Sequence, residues 1–161
     1  MASRPVGRAL VLHGHGLRTR QQLGPRTAAA PPTVLELTVR RYRCLACGCV
    51  CSVVPRGVVP RKHYSGGAIA LALALWAVLR QPAPVVRAQV SPFKRVGPSA
   101  IRSWHSLLRW SRAPPWPVES GACEPRARAL DVARHLLALS PLSATDNPVA
   151  ARVFAAAQQT R

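Results

Sequence analysis

Acidic side chains are the scarcest feature of this 161-residue chain: it holds five, Glu36, Glu119, Glu124, Asp131 and Asp146. Phosphoryl-transfer and nuclease chemistry on divalent metal needs several converging carboxylates. One acid on a strand and four scattered through a C-terminal stretch do not provide them, so the expectation is a protein without catalysis. No cysteine or serine stands in a Cys/His or Ser/His/Asp setting either. Aromatic residues make up 5% of the chain, too few to suggest a broad base-stacking platform. The longest apolar run, Gly67 to Leu79, is shorter than the roughly 18–20 residues that cross a bilayer, so it reads as a buried helix with no membrane partner. Five cysteines is an odd number, and four of them lie within eight residues. That crowding argues against a disulfide framework and for thiolate–metal chemistry in a reducing cytoplasm.

What the chain has instead is positive charge. Lysine and arginine total 23, for a formal net charge of +18, and Lys62 and Lys94 are the only lysines. Such a surplus repels itself in a folded chain and calls for a polyanionic partner, most directly nucleic acid. The N-terminal region is basic and contains no acid before Glu36. Its glycines and prolines leave no amphipathic helix of the transit-peptide kind, and Ala9 to Leu12 is too short an apolar core for a secretory signal.

Taken in order, Arg8 to Leu12 reads as a short strand, His13 to Gly16 as a turn, and residues 17–32 as a basic loop. From Thr33 the pattern changes: Leu35, Leu37 and Val39 alternate with Glu36, Thr38 and Arg40, the period of a half-buried strand. That strand runs into Cys44-Leu45-Ala46-Cys47-Gly48, and Cys49 to Val54 reads as the returning strand of a hairpin. Ser65 is placed to cap an apolar helix from Ala68 to Arg80, ended by Pro82 and Pro84. A short helix spans Val85 to Val90, and the loop SPFKRVGP follows. The next helix runs from Ser99 to Arg112, with Ile101, Trp104 and Leu108 facing the core. Arg102, His105, Arg109 and Arg112 share another face, the basic stripe expected to meet a DNA groove or phosphates. Beyond the proline-rich break after Ala113, Glu124 to Ser140 forms an amphipathic helix through Ala129, Val132, Leu136 and Leu139. A last helix spans about Ala150 to Gln158, capped by Asp146 or Asn147.

Two thiolates separated by two residues and followed by glycine make a metal knuckle, since Gly48 permits the tight positive-φ turn that aims backbone N–H groups at sulfur. One knuckle is half of a tetrahedral zinc site. Cys44 and Cys47 are the first ligands expected; Cys49, Cys51, His13 and His15 are the candidates for completing the set. Cys123 reads as a plain free thiol.

The segment RRYRCLACGCVCSVVPRG, followed by HYS, an apolar helix and an Arg/Trp-rich helix, resembles the N-terminal zinc-ribbon and helix-turn-helix region of bacterial insertion-sequence transposases and the domain families derived from it. The resemblance covers roughly Leu10 to Arg112. It implies an α+β chain: a β-hairpin half zinc ribbon over 1–60, a three-helix helix-turn-helix bundle over 61–113, and a proline-rich linker with a helical tail over 114–161. It also implies zinc, and duplex DNA as partner. Arg40, Arg41, Arg43, Arg61 and Lys62 would meet the backbone beside the stripe of the last bundle helix. In the family a first CxxC precedes a strand like ALVLHGHGLRTR; here no cysteine precedes it, so this chain begins after that knuckle or carries a degenerate one. The competing expectation is a transposase remnant, or a domain whose basic surface binds RNA or another protein.

Overall fold

The computed structural model describes residues 11–94, 96–98, 104–141 and 148–160. Arg102, Ile101, the start of the third helix at Ser99 and the Asp146/Asn147 cap lie outside the described residues, as does the strand start at Arg8. Among the described residues the chain is mixed α and β: a three-stranded antiparallel sheet and five helices. The strands are β1 (Leu12–Gly24), β2 (Thr33–Cys44) and β3 (Val50–Val53), in the order β1-β2-β3. The helices are α1 (Gly66–Ala77), α2 (Ala83–Val90), α3 (His105–Arg112), α4 (Pro125–Ala138) and α5 (Val149–Gln159). No described helix is long and apolar enough to cross a membrane.

The chain divides into two compact units. The first comprises the described part of residues 1–20 with Glu36–Pro55, and the second Gln21–Leu35 with the described part of residues 56–161. In the first, β2 and β3 pair as a hairpin, Arg40 opposite Val53 and Arg43 opposite Val50. The alternation foreseen in β2 holds, with Leu35 and Leu37 half-buried, Val39 buried, and Glu36, Thr38 and Arg40 exposed. β1 departs from the sequence reading. The turn at His13–Gly16 and the first part of the basic loop after it are one strand of 13 residues, of which Leu12 to Thr19 are exposed. Nothing in that strand is buried until Leu23, so no hydrophobic period marks it.

The second unit is built around α1, all of whose 12 residues are buried. A helix apolar on every face must be covered on every face. Its most extensive partners are α5 and α4, with α2 and α3 completing the surround. The Ser65 hydroxyl accepts from the Ala68 N–H at 3.0 Å and caps the helix as the sequence suggests. Ser65→Ala is expected to cost about 1 kcal/mol in denaturant unfolding, with an unchanged m-value.

Gly66 and Gly67, poor helix starters by propensity, are where α5 comes closest. A Cβ at Gly67 would stand 2.8 Å from the Phe154 ring, and one at Gly66 3.0 Å from the Ala157 carbonyl. The helices after the proline-rich break thus belong to the core. Ala129, Val132, Ala133 and Leu136 of α4 and Ala150, Val153, Phe154, Ala156 and Ala157 of α5 are buried in one cluster with α1. Trp116, within the break itself, is buried and donates its indole N–H to the Thr160 hydroxyl at 2.9 Å. Leu139, the last apolar position foreseen for the amphipathic helix, is exposed because α4 ends one residue before it and Leu139 serves as the C-cap. At the other end of α4 the Glu124 carboxylate accepts from the Ala127 N–H at 2.6 Å. Backbone hydrogen bonding at Arg126, then at Ala127, with the positive charges of Arg126 and Arg80, holds its pKa below the ordinary carboxylate value.

Candidate nucleic-acid interface

In the helical unit, the segment before α1 carries Arg61, Lys62 and His63 on a backbone fixed from both sides. The Leu23 N–H donates to the His63 carbonyl at 2.8 Å, and the Ser65 N–H donates to the Leu23 carbonyl at 3.1 Å. Arg61 sits at φ 58°, a left-handed conformation that a side-chain-bearing residue adopts at a cost. Tyr64 follows, its hydroxyl donating to the Ser91 hydroxyl at 2.9 Å. Its ring packs edge-on against Trp104 and Trp110, with centroids 5.9 and 5.0 Å away, and the two tryptophans pack edge-on against each other at 5.0 Å.

This aromatic block anchors α3. Leu107 and Trp110 are buried, while His105, Arg109 and Arg112 are exposed, so the expected basic face is on the outside of the helix. The Arg109 Nη2 donates to the Ser106 hydroxyl at 3.4 Å, a long bond at the surface. Leu108, expected to face the core, is half-buried; Leu107 takes that place because α3 as described begins at His105 and its buried stripe runs Trp104, Leu107, Trp110 and Ser111. Between this face and the segment before α1 lies a cavity of about 470 Å³, whose walls include Arg61, Lys62, His63 and Arg109 over Tyr64 and Trp110. Among the described residues no acid lines it. Two acids elsewhere on this unit are already engaged: Asp131 accepts from the Ser120 hydroxyl at 2.7 Å and pairs with Arg134 at 3.6 Å, and Glu124 caps α4.

The remaining basic residues of the sequence reading, Arg40, Arg41 and Arg43, belong to the first unit. Arg40 and Arg43 are exposed, and the Arg40 guanidinium lies 5.7 Å from the Tyr42 ring centroid, a cation–π distance. Arg41 is half-buried, and its Nε is enclosed without a hydrogen-bond partner. The structure therefore distributes the expected DNA-facing residues over two separate units. It brings Arg61, Lys62 and Arg109 to one cavity, with His105 and Arg112 on the same exposed helix face as Arg109.

The knuckle turn is present at the tip of the β2–β3 hairpin. Gly48 has φ 70° and its N–H donates to the Cys44 carbonyl at 2.8 Å; the Cys44 N–H donates to the Cys49 carbonyl at 2.8 Å. Leu45 in the turn donates to the Val11 carbonyl at 3.0 Å. Cys44 is buried, whereas Cys47, Cys49, Cys51 and Cys123 are exposed free thiols. His13 and His15 are exposed on β1. Among the described residues no group of three or more His, Cys, Asp or Glu side chains is placed to hold a metal ion. Cys49, Cys51, His13 and His15 are thus not gathered with Cys44 and Cys47 into such a group. The turn is held by its own backbone hydrogen bonds.

Residues 7–85 match the family described as Domain of unknown function (DUF6431). The matched segment is a little under half of the chain; it spans the sheet and α1 and stops within α2. No curated protein and no solved structure matches the chain. The basic helix α3, with its tryptophans, lies outside the matched segment, whereas Arg61, Lys62 and the knuckle lie inside it.

Sequence reasoning passes over two residues beside this face. Tyr64 reads as part of a basic connector, yet it joins α3 to the end of α2. Phe93 reads as part of a loop, yet it is 55% exposed and lines the same cavity. A phenylalanine between proline and lysine is the signal that marks it.

Proposed function

We propose that this chain is a non-catalytic DNA-binding module related to the N-terminal zinc-ribbon and helix-turn-helix region of insertion-sequence transposases. The observation that carries this reading is the exposed face of α3. His105, Arg109 and Arg112 project from a helix whose opposite side is locked by Leu107 and Trp110, and Arg61 and Lys62 stand across from Arg109 over a cavity that no acid lines among the described residues. A rigid helix presenting cations is what a groove-and-phosphate contact needs. In this reading α3 is the groove helix, α1 and α2 are its support, and Arg40, Arg41 and Arg43 add backbone contacts from the first unit. Zinc has a place only as a two-thiolate contact at Cys44 and Cys47, and DNA binding is not routed through it.

Arg61 holds a left-handed backbone, as does Arg80 after α1. Arg61→Gly removes the cation and relieves the left-handed strain in one change. The variant should unfold at higher denaturant concentration, a gain of about 0.5–1 kcal/mol once the entropy of glycine is counted. It should also bind duplex DNA roughly three- to tenfold more weakly at moderate salt. Loss of stability together with unchanged binding would remove Arg61 from the interface.

A further inference from the structure

Phe93 lines a second cavity as well. This one, of about 640 Å³, is walled by Arg87, Lys94, Pro84 and Pro92 among others, again without an acid among the described residues. One exposed aromatic ring is therefore shared by two cavities, with Arg61, Lys62 and Arg109 in the first and Arg87 and Lys94 in the second. The ring does not hang on a loose loop. The Phe93 N–H donates to the Ser91 hydroxyl at 3.3 Å, the same oxygen that receives the Tyr64 hydroxyl. Ser91 is itself buried and forms the C-cap of α2. Arg87 lines the second cavity, and its Nε is buried without a hydrogen-bond partner.

We propose that these two cavities together seat an unpaired stretch of DNA, one base stacked on Phe93 and the flanking phosphates against the cations on either side. The proposal rests on the DNA-binding reading and narrows it, from a duplex alone to a duplex with a frayed or overhanging strand. An aromatic ring in the wall between recesses cannot reach a base held inside a duplex stack. It can meet an unpaired base, whose face is free, and stacking of this kind is indifferent to sequence. Both cavities carry cations, so the phosphates flanking a base stacked on Phe93 have partners in each. An acidic peptide would satisfy the cations and leave the ring without a partner.

The test is a fluorescence anisotropy titration of the full chain with a short oligothymidylate and, separately, with a blunt duplex, for the parent protein, Phe93→Ala and Phe93→Trp. Phe93→Ala should weaken oligothymidylate binding about fivefold or more, with the slope of affinity against salt unchanged, because stacking is lost while every cation remains. Blunt-duplex affinity should stay within about twofold, and Phe93→Trp should restore the single strand. The proposal is overturned if Phe93→Ala leaves oligothymidylate binding unchanged, if it weakens both ligands equally, or if polyglutamate binds as well with the same dependence on Phe93. Single-strand binding that depends on Phe93, in a protein that ignores blunt duplex, would uphold the seat and sink the duplex reading. Duplex binding with no oligothymidylate binding would do the reverse.

Discussion

A chain ending at Ala113 is expected to show no cooperative unfolding transition. The proline-rich stretch after that residue looks like the edge of a domain, but nine buried side chains of the α1 cluster lie beyond it, on α4 and α5. Removing them uncovers two of the sides of α1, the sides it packs most extensively. Each buried aliphatic side chain stabilises a fold by roughly 1.5–3 kcal/mol, with alanines contributing less. Even a few of them together match the roughly 5–15 kcal/mol that a domain of this size has in total. Circular dichroism against temperature or urea measures this directly. The truncated chain should melt without a sigmoid and should expose α1 to proteolysis. A sharp transition in residues 1–113 close to that of the full chain would mean that α4 and α5 are accessories after all.

The second large effect concerns affinity rather than folding. Arg109→Ala combined with Arg112→Ala should reduce duplex DNA affinity roughly 10- to 100-fold near 0.1 M salt. The slope of log K against log salt should fall in magnitude by about 2, since each lost phosphate contact removes about 0.9. The loss should be similar for unrelated duplex sequences, the mark of backbone contacts. Both side chains are exposed, and the hydrogen bond from Arg109 to Ser106 is long and on the surface. The double variant should therefore keep the helical content and unfolding midpoint of the parent. An unchanged salt slope would place the phosphate contacts elsewhere.

The elements legible in the sequence are those whose residues divide cleanly between water and core. β2 shows itself through Leu35, Leu37 and Val39, and α1 through an unbroken apolar run entered by Ser65. β1 is invisible because a strand exposed on both faces over most of its length is stabilised by pairing alone, and pairing leaves no period in the sequence. The helices α4 and α5 are legible as helices, but the sequence leaves open whether they pack on the bundle or trail it as a tail. The proline-rich break suggests separation, and only the tertiary contacts of Trp116 with Thr160 and of Gly67 with Phe154 show that the chain folds back. The basic face of α3 follows from helical spacing at His105, Arg109 and Arg112. The cavity opposite it does not, since it depends on Leu23 fixing His63 and Ser65 from a strand some forty residues away. The cysteine knuckle is legible as a turn; its spacing promises ligands that the described residues do not gather.

Titration of the full chain with a blunt duplex across a range of salt tests the central claim most directly. With Arg61, Lys62, Arg109 and Arg112 engaged, and Arg40, Arg41 and Arg43 adding contacts, log K should fall linearly with log salt with a slope of roughly −3 to −6. An affinity for duplex DNA that does not change with salt, or no binding at low salt, would contradict it.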